Sequence, residues 1–349
     1  MSTRQGLQPG APMNDDGEIL FTPQVAAMIA DAGAAWVRLN FRLGPRFKDW
    51  TETTSLGFSA LSCYDAIVQN ALSCKLNVLG LLCNEAWDWS IDPGLWRANA
   101  AEVGQGNGDN DYIRGFADNA ASLLVRHFAG KVRHWQIWNE PNCTLSHVYP
   151  SNFAWLLRRA YIAARESGVS GLTIVSGALL STHGMSATSL TPDNTGATYL
   201  RDTYQQGKAN AGWDELKARY GTYPLDAVGQ NLYIDQWSRT SAARIELAVS
   251  LVRDACLAEE GSRRPKPIHL TEIGWTNANV DESLQAANLR IAYLKLKSLE
   301  YTPVAYWFFL RDEAAPYLYH GLLRPDGSQK PAWAALREIN EIHIYPPPQ

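Results

Sequence analysis

The sequence predicts an α/β fold, a single (β/α)8 barrel that spans residues 1–349 as one domain. Eight short apolar segments alternate with segments of helical periodicity, which indicates a parallel sheet with right-handed crossovers. No linker or change of composition interrupts this alternation. No glycine-rich phosphate loop follows an early strand, as an open doubly wound sheet would favour. A closed barrel is therefore preferred, since such barrels exceed about 250 residues as one domain.

The predicted strands are short and mostly apolar, and the first of them is the least distinct. They cover residues 6–8, 36–41, 77–83, 132–139, 172–179, 227–234, 266–273 and 304–310. The Val and Leu run in 77–83 is typical of a parallel strand covered on both faces. In 36–41, Val37, Leu39 and Phe41 alternate with Arg38 and Asn40, so one set faces the helices and the other the barrel axis.

Segments of helical periodicity separate the strands. They cover residues 23–32, 60–75, 112–128, 152–167, 199–220, 242–259, 281–299 and 331–342. The first has a recognisable start and end, because Thr22 suits the N-cap, Pro23 the first helical position and Gly33 the C-terminal cap. A polar and aromatic stretch at 84–89 and glycine-containing polar stretches at 104–111 and 180–196 are predicted loops.

Composition and charge exclude several classes of function. The net charge is −4 and the sequence has no block of basic residues, so nucleic acid is not an expected partner. No run of about 18 apolar residues is present, so no membrane span is expected. Residues 1–12 lack the basic and apolar regions of a signal peptide. We expect either a cytoplasmic protein or a secreted one whose signal peptide this sequence lacks.

The cysteines and histidines show no cofactor or metal pattern. The five cysteines are odd in number and form no CxxC pair, so we interpret them as buried thiols. A disulfide within the group Cys63, Cys74 and Cys83 is the alternative. The seven histidines have none of the spacings typical of zinc sites, so neither a metal nor another cofactor is predicted.

Two predicted strands end in a glutamate beside tryptophan, in the stretches WNEPN (138–142) and TEIGW (271–275). A carboxylate is costly to bury near large apolar rings unless something pairs with it. Glu140 ends the fourth strand and Glu272 the seventh, 272 − 140 = 132 residues apart, or three units of 44. Active sites of such barrels lie at the C-terminal ends of the strands. The two carboxyl groups are therefore predicted to face each other across the barrel mouth.

A pair of facing carboxyl groups in an aromatic cleft suits glycoside hydrolysis. One must donate a proton, with its pKa raised by burial and by its negative neighbour. The other must stay ionised, and we predict that Arg38 favours that form. A retaining mechanism predicts a carboxyl separation of about 5 to 5.5 Å.

The two motifs resemble the acid/base and nucleophile motifs of the clan A retaining glycoside hydrolases. The chain is most similar to the family 39 and PslG-like branch, with family 5 next. The similarity extends to the clan's common ending, here GLLRPDGS (321–328) and KPAW (330–333). The resemblance implies a (β/α)8 barrel in which Glu140 is the general acid/base and Glu272 the nucleophile.

The same resemblance implies supporting roles for further residues. Asn139 would bind the sugar 2-hydroxyl, Tyr233 would touch the nucleophile, and Trp307 would be a sugar platform. Two positions depart from the clan pattern. Asn231 stands where the clan often has His, two residues before the tyrosine. Asn84 lies near the position of a His that is common in family 5.

Other residues are candidates for the cleft wall. Trp87 and Trp275, together with Trp89 and Trp237, could stack on sugar rings, although a packing role is as well supported for each. His183, in the loop after the fifth strand, is a candidate substrate contact.

The predicted function is a retaining β-glycoside hydrolase that cleaves an oligo- or polysaccharide by double displacement. Three alternatives stay open from the sequence. The barrel could bind carbohydrate without catalysis, it could be a metal-dependent hydrolase or isomerase, or it could be a transglycosylase that uses the same two glutamates.

Overall fold

Parallel strands and helices alternate along the chain in the predicted order. The computed structural model describes residues 3–87, 108–144, 147–182, 189–261, 266–278, 280–313 and 319–342. Its strands are β1 (Arg4–Gln8), β2 (Trp36–Phe41), β3 (Asn77–Leu82), β4 (His134–Ile137), β5 in two segments (Thr173–Val175 and Leu179–Ser181), β6 (Val228–Leu232), β7 (Ile268–Ile273) and β8 (Val304–Phe308). Every ladder between named strands is parallel.

The sheet closes on itself through the interrupted strand β5. Its first segment pairs with β4 and its second with β6. Two isolated parallel bridges join the same neighbours, Asn139 to Ala178 and Val175 to Ala227. Strand β1 pairs with both β2 and β8 on the other side. The strands therefore form a ring, which confirms the predicted (β/α)8 barrel.

Helices lie between the strands. They are α1 (Pro23–Asp31), α2 (Ala60–Ser73), α3 (Asp111–Gly115), α4 (Ser122–His127), α5 (Pro150–Arg165), α6 (Ala197–Asn210), α7 (Trp213–Tyr220), α8 (Ala242–Glu260), α9 (Glu282–Lys297) and α10 (Pro331–Glu341). A π-helical segment, Phe116–Ala121, connects α3 to α4. The predicted helix 199–220 is divided in two before Trp213, where Gly212 has a φ of 60°, a left-handed conformation that glycine adopts readily.

Two layers of apolar side chains fill the molecule. Strand residues alternate between them, as expected for a barrel. The inner layer contains Leu79, Val175, Ala227, Val304 and Tyr306, all buried inside the ring of strands. The outer layer, between strands and helices, is much larger and includes Ala305 and Trp307.

The five cysteines are free thiols, three of them buried. The alternative of a disulfide among Cys63, Cys74 and Cys83 is therefore wrong for this structure. Among the helices described, none has the length and apolar character needed to cross a bilayer.

A buried ion pair lies within the segment that connects β8 to α10. Lys330 Nζ lies 2.6 Å from Asp312 Oδ2, and the two side chains are 0% and 3% exposed. Lys330 Nζ also donates to Asn277 Oδ1 at 2.8 Å, and Gly321 N donates to Asp312 Oδ1 at 2.8 Å. Burial raises the pKa of Asp312 and lowers that of Lys330. The ion pair therefore fastens the two ends of this segment to each other, and the hydrogen bond to Asn277 fastens the segment to the loop after β7.

We expect Lys330→Met to lower the free energy of unfolding by about 3–5 kcal/mol, because it leaves Asp312 buried without its cation. Urea denaturation would measure the loss. The control is Arg290→Met, which breaks the exposed Arg290–Glu338 pair and should cost less than about 1 kcal/mol. Equal, small losses in both variants would contradict a stabilising role for the buried pair.

Candidate active site

The backbone after β4 turns sharply to present Glu140. Trp138 and Glu140 have φ values of 75° and 47°, a left-handed conformation that is uncommon outside glycine. Backbone hydrogen bonds hold the turn, from Trp138 N to Leu82 O at 2.7 Å and from Glu140 N to Ala178 O at 2.9 Å. The Gln136 side chain also donates to Trp138 O at 2.8 Å. Neighbours on both sides thus fix the direction of Glu140.

The last residue of the WNEPN motif fastens this turn to β5. Asn142 Nδ2 donates to Leu180 O at 2.9 Å, and Leu180 N donates to Asn142 Oδ1 at 2.8 Å. The Asn142 amide therefore makes the two hydrogen bonds that a paired residue of a neighbouring strand would make. It joins the loop that bears Glu140 to β5.

A β-bulge precedes Glu272. In the β6–β7 ladder Gln230 faces Leu270, but the next residue, Asn231, faces Glu272. Thr271 is therefore an extra residue on β7. Such bulges re-aim side chains and are common next to active sites. Here the buried Glu272 carboxylate points into the barrel mouth, where it contacts Arg38.

Arg38 on β2 is the centre of the site, and its side chain is 1% exposed. Its Nη1 donates to Glu272 Oε1 and to Gln8 Oε1, both at 2.6 Å. Its Nε donates to Gln136 Oε1 at 2.9 Å, and its Nη2 to Asn139 Oδ1 at 2.8 Å. The structure thus places the predicted arginine in an ion pair with Glu272.

Tyr233 is the hydrogen-bond donor to the second carboxylate oxygen of Glu272. Its Oη donates to Glu272 Oε2 at 2.6 Å. Burial, and next the negative charge of Glu272, raise the pKa of Tyr233 well above its usual value. The phenol therefore keeps its proton and remains a hydrogen-bond donor at all ordinary pH values.

Glu140 has a different environment. Asn231 Nδ2 donates to its Oε1 at 2.8 Å. Burial, and next the charge of Glu272, raise the pKa of Glu140 to about 7, although the Asn231 hydrogen bond and Arg38 oppose this. Two carboxyl groups in one site thus differ in their surroundings, the arrangement expected of a proton donor beside an ionised partner.

A continuous hydrogen-bond network connects the two carboxyl groups. Asn231 Nδ2 is also 3.3 Å from Asn139 Oδ1, the oxygen that accepts from Arg38. The network therefore runs from Glu140 through the two asparagines and the arginine to Glu272. Two donors on its Oδ1 fix the orientation of the Asn139 amide.

The structure does not bring every predicted residue to the site. Trp307 and Trp275 are 0% and 1% exposed, and their rings lie 6.1 Å apart in the outer layer. The prediction of Trp307 as a sugar platform is wrong, because Tyr306 points inward and its neighbour must point outward. Phe308 takes the next inward position, half-buried, with its ring 5.9 Å from that of Tyr233.

Two further candidates, Asn84 and Trp87, lie just after β3. Asn84 is buried, and among the described residues its Oδ1 has no hydrogen-bond partner. Trp87 is half-buried and packs on α3, where a Cβ on Gly115 would come within 2.6 Å of its ring. His183 and Trp89 lie outside the described residues.

Four residues of the site were not predicted from the sequence, namely Gln8, Gln136, Thr271 and Phe308. A signal existed for the two glutamines, since each is a polar residue near the C-terminal end of an apolar strand, as Arg38 is. Within the described part of the chain, no group of three or more His, Cys, Asp and Glu side chains is arranged to hold a metal ion.

Solved structures with the same fold include glycoside hydrolases of clan A, among them members of families 5 and 39. Comparison with family sequence models and with curated proteins finds no match. The structural similarity covers nearly the whole chain at low sequence identity, so it establishes the fold.

Three of these structures show the extent of the similarity. A family 39 glycoside hydrolase from Bacteroides cellulosilyticus WH2 has a TM-score of 0.66 at 17% identity, and the match covers 98% of this chain and 64% of that one. A glucosidase from Croceicoccus marinus has a TM-score of 0.67 at 17% identity, with coverage of 98% and 68%. A beta-glucosidase from Thermotoga maritima has a TM-score of 0.63 at 12% identity, with coverage of 98% and 99%. This chain thus spans somewhat less than two thirds of the Bacteroides enzyme.

We expect Glu272→Gln to lower the pKa of Glu140 from about 7, because it removes the negative charge that, after burial, raises that pKa most. NMR titration of ¹³C-labelled carboxyl groups would measure it, with the Glu140 signal assigned by its loss in Glu140→Gln. The matched control is Tyr233→Phe, which removes a hydrogen bond from Glu272 but keeps its charge, so the Glu140 pKa should stay raised. An unchanged value in Glu272→Gln would refute electrostatic coupling of the pair.

Proposed function

We propose that this protein is a retaining β-glycoside hydrolase that cleaves an oligo- or polysaccharide. The observation that carries the proposal is the pair of unlike carboxyl groups in one network. Glu140 has a pKa raised to about 7, whereas both oxygens of Glu272 accept short hydrogen bonds, from Arg38 and Tyr233. The glycosidases that share the fold support this chemistry.

In the first step Glu272 attacks the anomeric carbon while Glu140 protonates the leaving oxygen. The attack breaks the glycosidic bond and forms a covalent ester with Glu272. Arg38 and Tyr233 hold the attacking carboxylate in one orientation, which lowers the entropic cost of reaching the reactive geometry. The raised pKa of Glu140 keeps a proton available on it near neutral pH.

In the second step Glu140 takes a proton from water, and the resulting nucleophile displaces Glu272 from the sugar. Once Glu272 is esterified, its negative charge is gone, and with it one of the two causes that raise the pKa of Glu140. Glu140 therefore loses its proton more readily after the first step. The same residue serves first as acid and then as base because the charge of its neighbour changes.

Asn139 is the proposed contact for a sugar hydroxyl. Its Oδ1 is occupied by Arg38 and Asn231, which leaves the Nδ2 end of the amide to donate to substrate. Phe308, rather than Trp307, is the proposed aromatic wall of the sugar site, since its ring lies on the inward side next to Tyr233.

We expect Glu272→Gly to abolish hydrolysis, and azide to restore turnover of an activated aryl β-glycoside as the α-glycosyl azide. Azide replaces the missing nucleophile in that variant, so the anomeric centre is inverted once. The matched variant Glu140→Ala keeps the nucleophile, so azide attacks the covalent intermediate and the product is the β-glycosyl azide. NMR of the two products distinguishes the anomers.

The outcome separates the proposal from its alternatives. Full activity of Glu272→Gly, or the same anomer from both variants, would remove Glu272 from the nucleophile role. Sugar binding without turnover in the unmodified protein would instead indicate a carbohydrate-binding barrel. Transfer to an added sugar acceptor in preference to water would indicate a transglycosylase.

We expect Phe308→Ala to raise KM for an oligosaccharide about tenfold, or ~1.4 kcal/mol, because the variant removes the aromatic surface that faces the site. Steady-state kinetics would measure the change. The control is Trp307→Phe, which should lower thermal stability through lost packing but leave KM unchanged. A larger KM effect from Trp307→Phe would reverse the assignment of the two rings.

A further inference from the structure

Thr271 is a fully buried hydroxyl directly before the proposed nucleophile. It is the extra residue of the bulge in β7. Its Oγ1 lies 2.8 Å from Asn231 Oδ1 and 3.3 Å from Gln230 O. A hydroxyl has one hydrogen to donate, and the shorter contact assigns it to the Asn231 amide.

Asn231 is fully buried, and both ends of its side-chain amide have hydrogen-bond partners. Its Nδ2 lies 2.8 Å from Glu140 Oε1 and 3.3 Å from Asn139 Oδ1. The two N–H groups therefore have two oxygen acceptors, and Oδ1 has the Thr271 hydroxyl as its donor. Since the two ends of an amide have nearly the same shape, only these partners decide which end faces Glu140.

The orientation of the amide determines which form of Glu140 is favoured. An N–H aimed at a carboxyl oxygen favours the ionised form, whereas an oxygen at the same place favours the protonated form, which alone can donate to it. Loss of the donor on Asn231 Oδ1 would leave that oxygen buried and unsatisfied. Rotation of the amide toward a new donor would then become favourable.

We propose that Thr271 is a positioning residue that fixes the Asn231 amide with its N–H toward Glu140, and thereby sets the pH range in which Glu140 works. This inference rests on the proposed function, in which Glu140 is the acid/base. Thr271 does not touch the reacting atoms and acts only through Asn231.

The charged and titratable groups with a described effect on Glu140 do not contact the Thr271 hydroxyl. Within the described part of the chain, those that act on Glu140 include Glu272 on β7, Arg38 on β2 and Tyr233 after β6. Arg38 and Tyr233 hold the two Glu272 oxygens directly. A change that removes only the hydroxyl of Thr271 therefore reaches Glu140 through the amide, with the opposing charges left in place.

Threonine and valine have nearly the same shape, so Thr271→Val removes the donor and keeps the volume, and Thr271→Ser keeps the donor. The measurements are pH profiles of kcat and kcat/KM on an aryl β-glycoside, with the ¹³C titration of Glu140 in the enzyme without substrate. In Thr271→Val we expect the basic limb and the Glu140 titration to move up together by about half a pH unit or more. Thr271→Ser should match the unmodified enzyme.

A second variant tests the route of the effect. Asn231→Leu removes the N–H itself and should also move the Glu140 titration upward, and adding Thr271→Val to it should cause no further shift, because the two act in series. If Thr271→Val fails to fold, Thr271→Ala replaces it in the same measurements.

The outcomes separate the two proposals. An unmodified enzyme without glycosidase activity contradicts the proposed function, while the ¹³C titration still tests the effect of Thr271 on Glu140. An active enzyme in which Thr271→Val lowers kcat but leaves both the basic limb and the titration unmoved overturns the positioning role. Additive shifts in the double variant overturn the route through Asn231.

Discussion

The site and the fold depend on one buried guanidinium. Arg38 donates to side chains from β1, from β4 and the turn after it, and from β7. An arginine removed from water is tolerated only when a charge partner and acceptors satisfy it. The strand ends must therefore meet around Arg38 for the barrel to be stable, and their meeting is also what places Glu272 and Asn139 together. In this protein the same contacts join the strand ends and assemble the site.

The difference between the two glutamates follows from their neighbours. Glu272 is buried and has a cation and a phenol on its two oxygens, while Glu140 is half-buried and accepts an amide N–H from Asn231. The charge of Glu272 also contributes to the raised pKa of Glu140. The proton affinity of Glu140 is therefore a property of the pair, and it changes whenever Glu272 is neutralised.

The barrel could be predicted from the sequence because two patterns are strong. Apolar and polar residues alternate within a strand such as β2, and strands alternate with helices along the chain. Strand β2 was predicted to the residue, since Arg38 and Asn40 interrupt an apolar pattern. The break in β5 was not, because three-residue segments carry no measurable period. Trp307 was assigned to the wrong side because every residue from Val304 to Leu310 is apolar or aromatic, so the pattern does not show which set faces inward. Gln8 and Gln136 could have been found, because only a buried polar partner explains an inward Arg.

The bulge at Thr271 could not be predicted, yet it determines the chemistry of the site. In a regular strand, neighbouring side chains point to opposite faces. Here the side chains of Thr271 and Glu272 both contact groups at the barrel mouth. Thr271 contacts Asn231, and Glu272 contacts Arg38. A single extra residue thus lets β7 supply both the anionic partner of the arginine and the hydroxyl that orients the amide on Glu140. Pairing in the sheet, which the local sequence does not encode, decides which residues share a face.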